Sequence, residues 1–483
     1  MQQFFAILKD SFREAVDGFV IYVMLALALF MVILVASISF APDTPDKALP
    51  QVLSRFYIIF PDKGKSAAPT GVPSRLLEYS VSKSELGGDG VVRFTLEAKG
   101  KTNERDRPKG DEPGARGENP FAQADPFRYS VLAWAKPPGE KVKNPFGQNQ
   151  KKRSSDEKTL ELVMPPEATP ADLKTVTDEQ MIGFLKSQFS LFVGISESNV
   201  TATRRTDEGL AEPNYRFDVE LKGATTARGW PQTLRIFFNQ VTVGSGLKLG
   251  ETVNALQDYL VGWVGGSVTL IISVIITAFF IPNMLRKGSV DLLISKPIGR
   301  SQLLVYKYIG GLTFIFLITS FTVGLVWVVL SARAGYWDPT FLIMIPSLTF
   351  SFAILYSVST AAAVFTRSAI AAILITIAFM FFLYGVGKAK VFADWNKVIQ
   401  IAEVPNWLYN LIDFFHAILP RYKDLDRLTE KLLAETNYPE GDARLNGIGL
   451  VEYPSWGGAL GVSLLFIAVM LGLSCWKFRK RDG

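Results

Sequence analysis

Few residues in this chain could do covalent or metal chemistry, and their positions exclude most of it. His416 is the sole histidine and Cys475 the sole cysteine, so they cannot assemble the Cys/His cluster that a zinc site requires. Cys475 lies in an apolar run and His416 in an aromatic-rich segment, where it reads as an interfacial residue. The closest approach to a phosphate-binding loop is Gly64-Lys65-Ser66 in IIFPDKGKS, but Ile59 stands where such a loop needs its first glycine. A solvated turn is the ordinary reading. There is no Gly-x-Ser-x-Gly turn and no histidine placed to serve a triad. Asn199-Val200-Thr201 is a glycosylation sequon, relevant only in a glycosylating host. No catalytic residue, cofactor-binding residue or metal ligand is expected, and the chain is not an enzyme by itself.

The other notable chemistry is cationic and mechanical. Between two very apolar runs lies KGSVDLLISKPIGRSQLLVYK, residues 287–307, preceded by Arg286. Leu285, Val290, Leu292 and Leu293 give one apolar face to a short helix from about Asn283 to Ser295. Pro297 then disfavours helical geometry at Lys296, Gly299 eases the turn, and Ser301 is placed to cap a new helix. The product is a short basic elbow held between two long helices. An ordinary positive loop would not need this pattern of Gly, Pro and Leu.

The elements that carry the elbow follow from hydropathy. The chain is 48% hydrophobic with 35 phenylalanines, and the excess is concentrated in six long runs free of Asp, Glu, Lys and Arg. A bilayer core requires about 20 apolar residues per helix, so the expected fold is membrane all-α with six transmembrane helices, at 18–42, 259–282, 308–332, 339–366, 368–387 and 453–476. The first run is too long for the apolar part of a cleaved signal and no small-x-small site follows it. It is expected to stay as an anchor. Twelve Lys and Arg flank the spans on the side of both termini and the elbow, against eight on the other side. Both termini, with the basic tail 477–483, are therefore placed in the cytoplasm. The net charge of +6 is largely this bias and indicates no nucleic-acid partner.

Around the spans, residues 1–17 alternate Phe4, Phe5, Ile7, Leu8, Phe12 and Val16 with charges at helical spacing, as an amphipathic helix on the cytoplasmic surface would. Residues 43–258 form a large extracytoplasmic insert after the first span. VVRFTLEAKG, YSVLAWA, LELVMP, YRFDVELKG and LRIFFNQVTVG read as strands and DEQMIGFLKSQFSLF as a helix, which predicts an α+β domain with a mainly antiparallel sheet. Without a disulfide it must stand on packing. TNERDRPKGDEPGARGENPFAQADP and PPGEKVKNPFGQNQKKRSSDEK read as long loops. Residues 388–452, rich in Trp395, Trp407, Tyr409, Phe414 and Phe415, are expected outside, either as interfacial helices or as a small cap on the insert. The spans carry no ionisable residue, which counts against an ion-coupled transporter. They do carry Ser347, Thr349, Ser351, Ser357, Ser359 and Thr360 beside Ala361 to Ala363, suited to close helix packing or to a polar pathway.

With the elbow and spans in view, the sequence resembles the ABC-2 type transporter permeases. Gly288-Ser289, Leu292-Leu293, Lys296-Pro297, Arg300 and Lys307-Tyr308-Ile309-Gly310 are similar to that family's signature, with its Pro, Arg and final Lys at the family spacing. Tyr306 stands where a glycine often precedes the lysine, and no acid occurs in the turn before Gly288. The resemblance implies an exporter subunit in the cytoplasmic (inner) membrane that binds no cofactor itself. ATP and Mg would sit on a separate cytoplasmic ABC ATPase, two permeases pairing with two ATPases. It further implies that 283–307 is the coupling helix loop, with Gly288, Ser289, Asp291, Leu292, Leu293 and Lys296 as contacts, Pro297 and Arg300 setting the geometry, and Lys307 closing the signature. Membrane lipid, a second permease copy (identical or paralogous) and an extracytoplasmic partner are the other partners considered. The rival reading is a membrane-anchored sensor acting through its outer domain.

Overall fold

The computed structural model describes residues 20–59, 71–73, 77–100, 125–135, 141–142, 162–163, 170–205, 215–259, 268–284, 299–399, 404–440 and 453–480. The amphipathic segment 1–17 and almost all of the two charged loop segments lie outside them, as do 285–298 of the elbow. The chain divides into two compact units. One comprises residues 39–253 with 434–450, and the other 1–38, 254–433 and 451–483.

Helix α1 (Val20–Ala36) contains no charge. Met24, Ala28, Met31 and Val35, spaced one helical face apart, are buried, whereas Leu25, Leu29, Phe30 and Ile33 are exposed. The chain then enters the α+β unit through β1 (Ser39–Pro42) and α2 (Pro45–Leu53). Strands β2 (Leu77–Leu86) and β3 (Val91–Gly100) form a hairpin, followed by α3 (Pro126–Ala135) and α4 (Asp178–Val193). Strands β4 (Val200–Arg205), β5 (Tyr215–Lys222), β6 (Pro231–Ile236) and β7 (Val241–Lys248) follow. A four-stranded antiparallel sheet has the order β2-β3-β5-β4, and a three-stranded sheet the order β1-β6-β7. Two short strand pairs, Tyr57–Ile59 with Gly71–Pro73 and Lys141–Val142 with Leu162–Val163, lie apart from both.

Alternation builds the larger sheet. Val92, Phe94, Leu96 and Ala98 on β3 pair with Leu221, Val219, Phe217 and Tyr215 on β5, so one face is continuously apolar. Helix α4 covers it with Met181, Phe184, Leu185, Phe189 and Phe192. That helix starts at a capping box in which Gln180 N–H donates to Thr177 Oγ1 (3.3 Å) and Thr177 N–H to Gln180 Oε1 (3.1 Å). It stops at Gly194, φ 80°. YSVLAWA, expected as a strand, is instead the body of α3. Pro126 opens the helix, Asp125 Oδ1 accepts from Arg128 N–H at 3.1 Å, and Phe127, Tyr129, Val131 and Leu132 are all buried. A segment apolar on every side fills either period, and the Asp-Pro start decides for helix.

The last part of this unit comes from far along the chain. Arg228 Nη1 donates to the Thr436 carbonyl, and a side chain at Gly250 would meet the Asn437 carbonyl at 2.0 Å. Only glycine permits that approach.

The other unit is helical. From α5 (Leu249–Asp258) the chain continues to α6 (Thr269–Thr277) and a short turn of helix at Phe280–Met284. The break between them lies where Pro282 removes the hydrogen bond to the Ala278 carbonyl. Long helices α7 (Arg300–Ala334), α8 (Met344–Thr366) and α9 (Ala369–Ile399) follow, then α10 (Asn406–Ile418), α11 (Tyr422–Asn437) and α12 (Trp456–Arg479). Among the described residues four helices, Arg300–Ala334, Pro339–Thr366, Ala369–Asp394 and Trp456–Arg479, are long and apolar enough to cross a membrane. The shorter apolar helices Ile21–Ala36 and Thr269–Pro282 occupy the places of the first two expected spans. Helix α8 is central: it packs on α6, α7, α9 and α12 and buries almost every residue from Ser351 to Val364.

Candidate functional site

Of the nine signature residues, Gly288, Ser289, Asp291, Leu292, Leu293, Lys296 and Pro297 lie outside the described residues. Arg300 and Lys307 are described, on the first two turns of α7. The helix begins two residues earlier than expected. Gly299, in extended geometry, is its N-cap, with its N–H bonded to Gln302 Oε1 at 3.3 Å. Ser301 is therefore inside the helix rather than its cap. Its hydroxyl accepts from Arg479 Nε at 2.7 Å and its carbonyl from Cys475 Sγ at 3.9 Å. Both bonds tie the first turn of α7 to the last turns of α12. Lys307 is buried at 5% exposure.

Beneath these residues is an apolar cluster that pattern reading did not single out. Ile281 and Met284, just before the elbow, meet Leu303 and Leu304, just after it. Ala362, Ala363 and Val364 at the end of α8, Ala372 at the start of α9 and Phe478 at the end of α12 complete the packing. Both roots of the elbow thus rest on one dry block made from five helical segments. The Leu303-Leu304 pair, one turn after the cap, was the available signal. The α8–α9 connection at this end is very tight. Arg367 caps α8 at φ 58°, its N–H bonded to the Ala363 carbonyl at 2.9 Å, and Ser368 Oγ accepts from Ala371 N–H at 3.3 Å. A left-handed non-glycine residue is uncommon and fixes the direction of the turn.

The hydroxyl stripe of α8 is mostly buried. Ser347 Oγ accepts from Thr429 at 3.3 Å, and Ser357 Oγ bonds its own helix at the Ile354 carbonyl, 2.7 Å. Ser351 and Thr360 hydroxyls have no partner among the described residues. A cavity of about 60 Å³ opens between α1, α6, α7 and the region around Phe341 and Leu348. It is lined by Met24, Leu27, Met31, Leu270, Ile318 and Val323, with hydroxyls from Thr269, Ser273, Thr319 and Thr322.

The far ends of the helices are built differently. Lys390 lies 21 residues along α9 from its start, about 30 Å at the helical rise. Its Nζ reaches Asp394 at 2.9 Å and Asp413 at 2.8 Å, and Arg427 reaches Asp394 at 3.3 Å. One ionic network thus joins α9, α10 and α11. His416, read as interfacial, pairs with buried Asp424 at 2.9 Å, and its carbonyl accepts from Arg421 Nε. Trp407, Leu411, Phe414 and Ile418 leave α10 with an exposed apolar face. Asp258, Asp426 and Glu430 gather nearby with Lys388 and Lys423. Desolvation, reinforced by Asp258 and Asp426, pushes the Glu430 carboxyl up to about 7, but the side chain is exposed to solvent, which screens that shift. Burial also raises Asp426 and Asp258, with Lys423 and Lys388 working the other way. Among the described residues no group of His, Cys, Asp and Glu could hold a metal ion.

Helices of this length and composition, packed around α8 and carrying an α+β insert, define a multi-pass membrane protein. Residues 271–483 match the model of the ABC-2 family transporter proteins, which supports an ABC-2 type permease. That family is a component of membrane transport rather than an enzyme, and it normally works with a cytoplasmic ABC ATPase. The match runs from α6 through the elbow to the end of the chain. No curated protein and no solved structure matches the chain.

Proposed function

We propose that this protein is the permease subunit of an ATP-binding-cassette exporter, moving its substrate with ATP hydrolysed on a separate cytoplasmic ATPase. The carrying observation is the family match across 271–483, which takes in the elbow and both its roots. In this reading six spans cross the inner membrane, both termini are cytoplasmic, the α+β unit lies outside, and two permease copies face two ATPases. Gly288, Ser289, Asp291, Leu292, Leu293 and Lys296 contact the ATPase, and Pro297, Arg300 and Lys307 hold the elbow in place. ATP and Mg stay on the partner.

The packing around the elbow supports the mechanics. A push on the elbow reaches Met284 and Leu303 together, and from there Ala363, Ala372 and Phe478, because close-packed interiors transmit displacement rather than absorb it. The test is a photo-crosslinking residue at Asp291 in native membranes. Capture of an ABC ATPase, lost in the Leu292→Asp/Leu293→Asp double variant while membrane insertion is retained, is the expected result. Recovery of an intact ATPase complex from the double variant would defeat the proposal and favour a membrane-anchored sensor.

A further inference from the structure

The hairpin joining β6 and β7 ends in a four-residue tip, Phe237 to Gln240, closed by Gln240 N–H on the Phe237 carbonyl at 3.2 Å. Three successive non-glycine residues there are left-handed: Phe237 at φ 53°, Phe238 at 54° and Asn239 at 72°. Turns of this hand ordinarily recruit Gly, Asn or Asp. Here two phenylalanines take the strained positions, and both stand in the open at 59% and 60% exposure. The apolar surface continues from the tip along β7, where Val241, Val243 and Leu247 are also exposed. From Ile236 to Leu247 there is no charged residue, although β7 is a sheet edge of the sort usually guarded by charge.

Register says which end of the sheet carries this tip. Strand β1 pairs antiparallel with β6, Ser39 opposite Arg235 and Pro42 opposite Gln232. The tip therefore projects beyond Ser39, by about 7–10 Å at the rise of a strand. Ser39 is the residue at which the chain enters the domain, three positions after Ala36 ends α1, and three residues of chain span at most about 11 Å. Covalent reach alone thus holds the tip end of the sheet near the point where the chain leaves its first apolar helix. Exposed Arg235, two residues before the tip, adds a cation suited to lipid phosphate.

We propose that Phe237 and Phe238 form a membrane-dipping tip that seats in the lipid surface beside that point, so that the three-stranded sheet is held at the bilayer by α1 and again by the hairpin. Aromatic side chains favour the headgroup boundary, with apolar faces entering it by about 5–10 Å. The inference rests on the hairpin, the register and the proposed membrane placement of α1, and does not depend on the partner ATPase.

The experiment uses the full chain in a Cys475→Ser background, labelled with an environment-sensitive fluorophore at Gln240→Cys, or at Thr201→Cys on the exposed face of β4 as reference. The protein is reconstituted in phosphatidylcholine–phosphatidylglycerol vesicles with shallow doxyl-labelled lipid. Expected is a blue-shifted label at 240 that doxyl lipid quenches severalfold more than the label at 201. Adding Phe237→Ser and Phe238→Ser should abolish that quenching while the signal at 201 and the unfolding midpoint stay unchanged. Equal quenching at the two positions would overturn the proposal. So would protection of position 240 from aqueous iodide without lipid quenching, which would assign the tip to a protein partner or a second copy.

Discussion

The two ends of the helical unit solve the same problem, holding several helices in register, with opposite chemistry. At the elbow end Ile281, Met284, Leu303, Leu304, Ala363 and Phe478 form a dry block, and Ser301 ties α7 to Arg479 and Cys475 of α12. At the far end Lys390, Asp394, Asp413 and Arg427 are linked by charge, and three carboxylates crowd two lysines. Close apolar packing has one good arrangement and passes a displacement on. A network of ion pairs has several, because a lysine can exchange one carboxylate for another. In the proposed permease the first suits an input end and the second an end that opens and closes.

The sharpest way to break this contrast is Lys390→Met, which leaves Asp394 and Asp413 without their shared cation. Removing one member of a partly buried network costs about 1–2 kcal/mol, between the exposed and buried limits. The loss should appear as a lower unfolding midpoint in nanodiscs, with Asp394→Asn/Lys390→Met recovering part of it. A neutral Lys390→Met would show that the network is ornamental. At the other end Leu304→Ala removes a fully buried side chain, expected to cost about 2 kcal/mol, the low end of the core range because lipid rather than water is the alternative environment. Leu304→Met, which nearly conserves volume, should cost well under that.

Arg479→Ala, which loses one exposed bond to Ser301, is a finer probe and should cost about 0.5–1 kcal/mol. If it matched Leu304→Ala, the elbow end would be polar in its energetics after all. The smallest effect concerns protons, because Glu430 is exposed and solvent screens its shift. Glu430 has its folded pKa raised from 4.5 to about 7, so the folded state binds the extra proton between those values. Its contribution to stability is present below the lower value and is lost as pH rises through the upper one. Unfolding midpoints measured across that window should fall with pH, and Glu430→Gln should flatten the slope. An unchanged slope in the variant would remove Glu430 from the account.

How much of this was legible in the sequence depends on how local the signal was. VVRFTLEAKG became β3 because strict alternation along one strand needs no knowledge of the partner. DEQMIGFLKSQFSLF became α4 for the same reason, with Thr177 and Gln180 announcing its start. YSVLAWA failed because a segment buried on all sides carries no period, and only Asp125-Pro126 distinguished the outcome. The helices at 300–334, 344–366, 369–399 and 456–479 were plain from apolar length. The contacts beneath the elbow were not, since nothing local says that Phe478 will meet Leu303, or that Ser301 will bond Arg479 instead of capping its helix. The ionic network was equally hidden: nothing local pairs Lys390 with Asp394, one turn on, or with Asp413 on the next helix.

The close fit of Gly250 and Arg228 to residues 436–437 has a consequence for biosynthesis. The body of the α+β unit is complete in sequence by residue 253, yet the piece that contacts Gly250 and Arg228 follows only after α6 to α10 have been made. At ordinary translation rates that is a wait of about 10–40 s. During it the nascent domain stands with an open seat at Gly194, Arg228 and Gly250, which Pro439 and its neighbours later fill. Final closure of the domain therefore reports that the intervening helices have been synthesised, so a ribosome stalled before residue 434 would leave the domain unlatched.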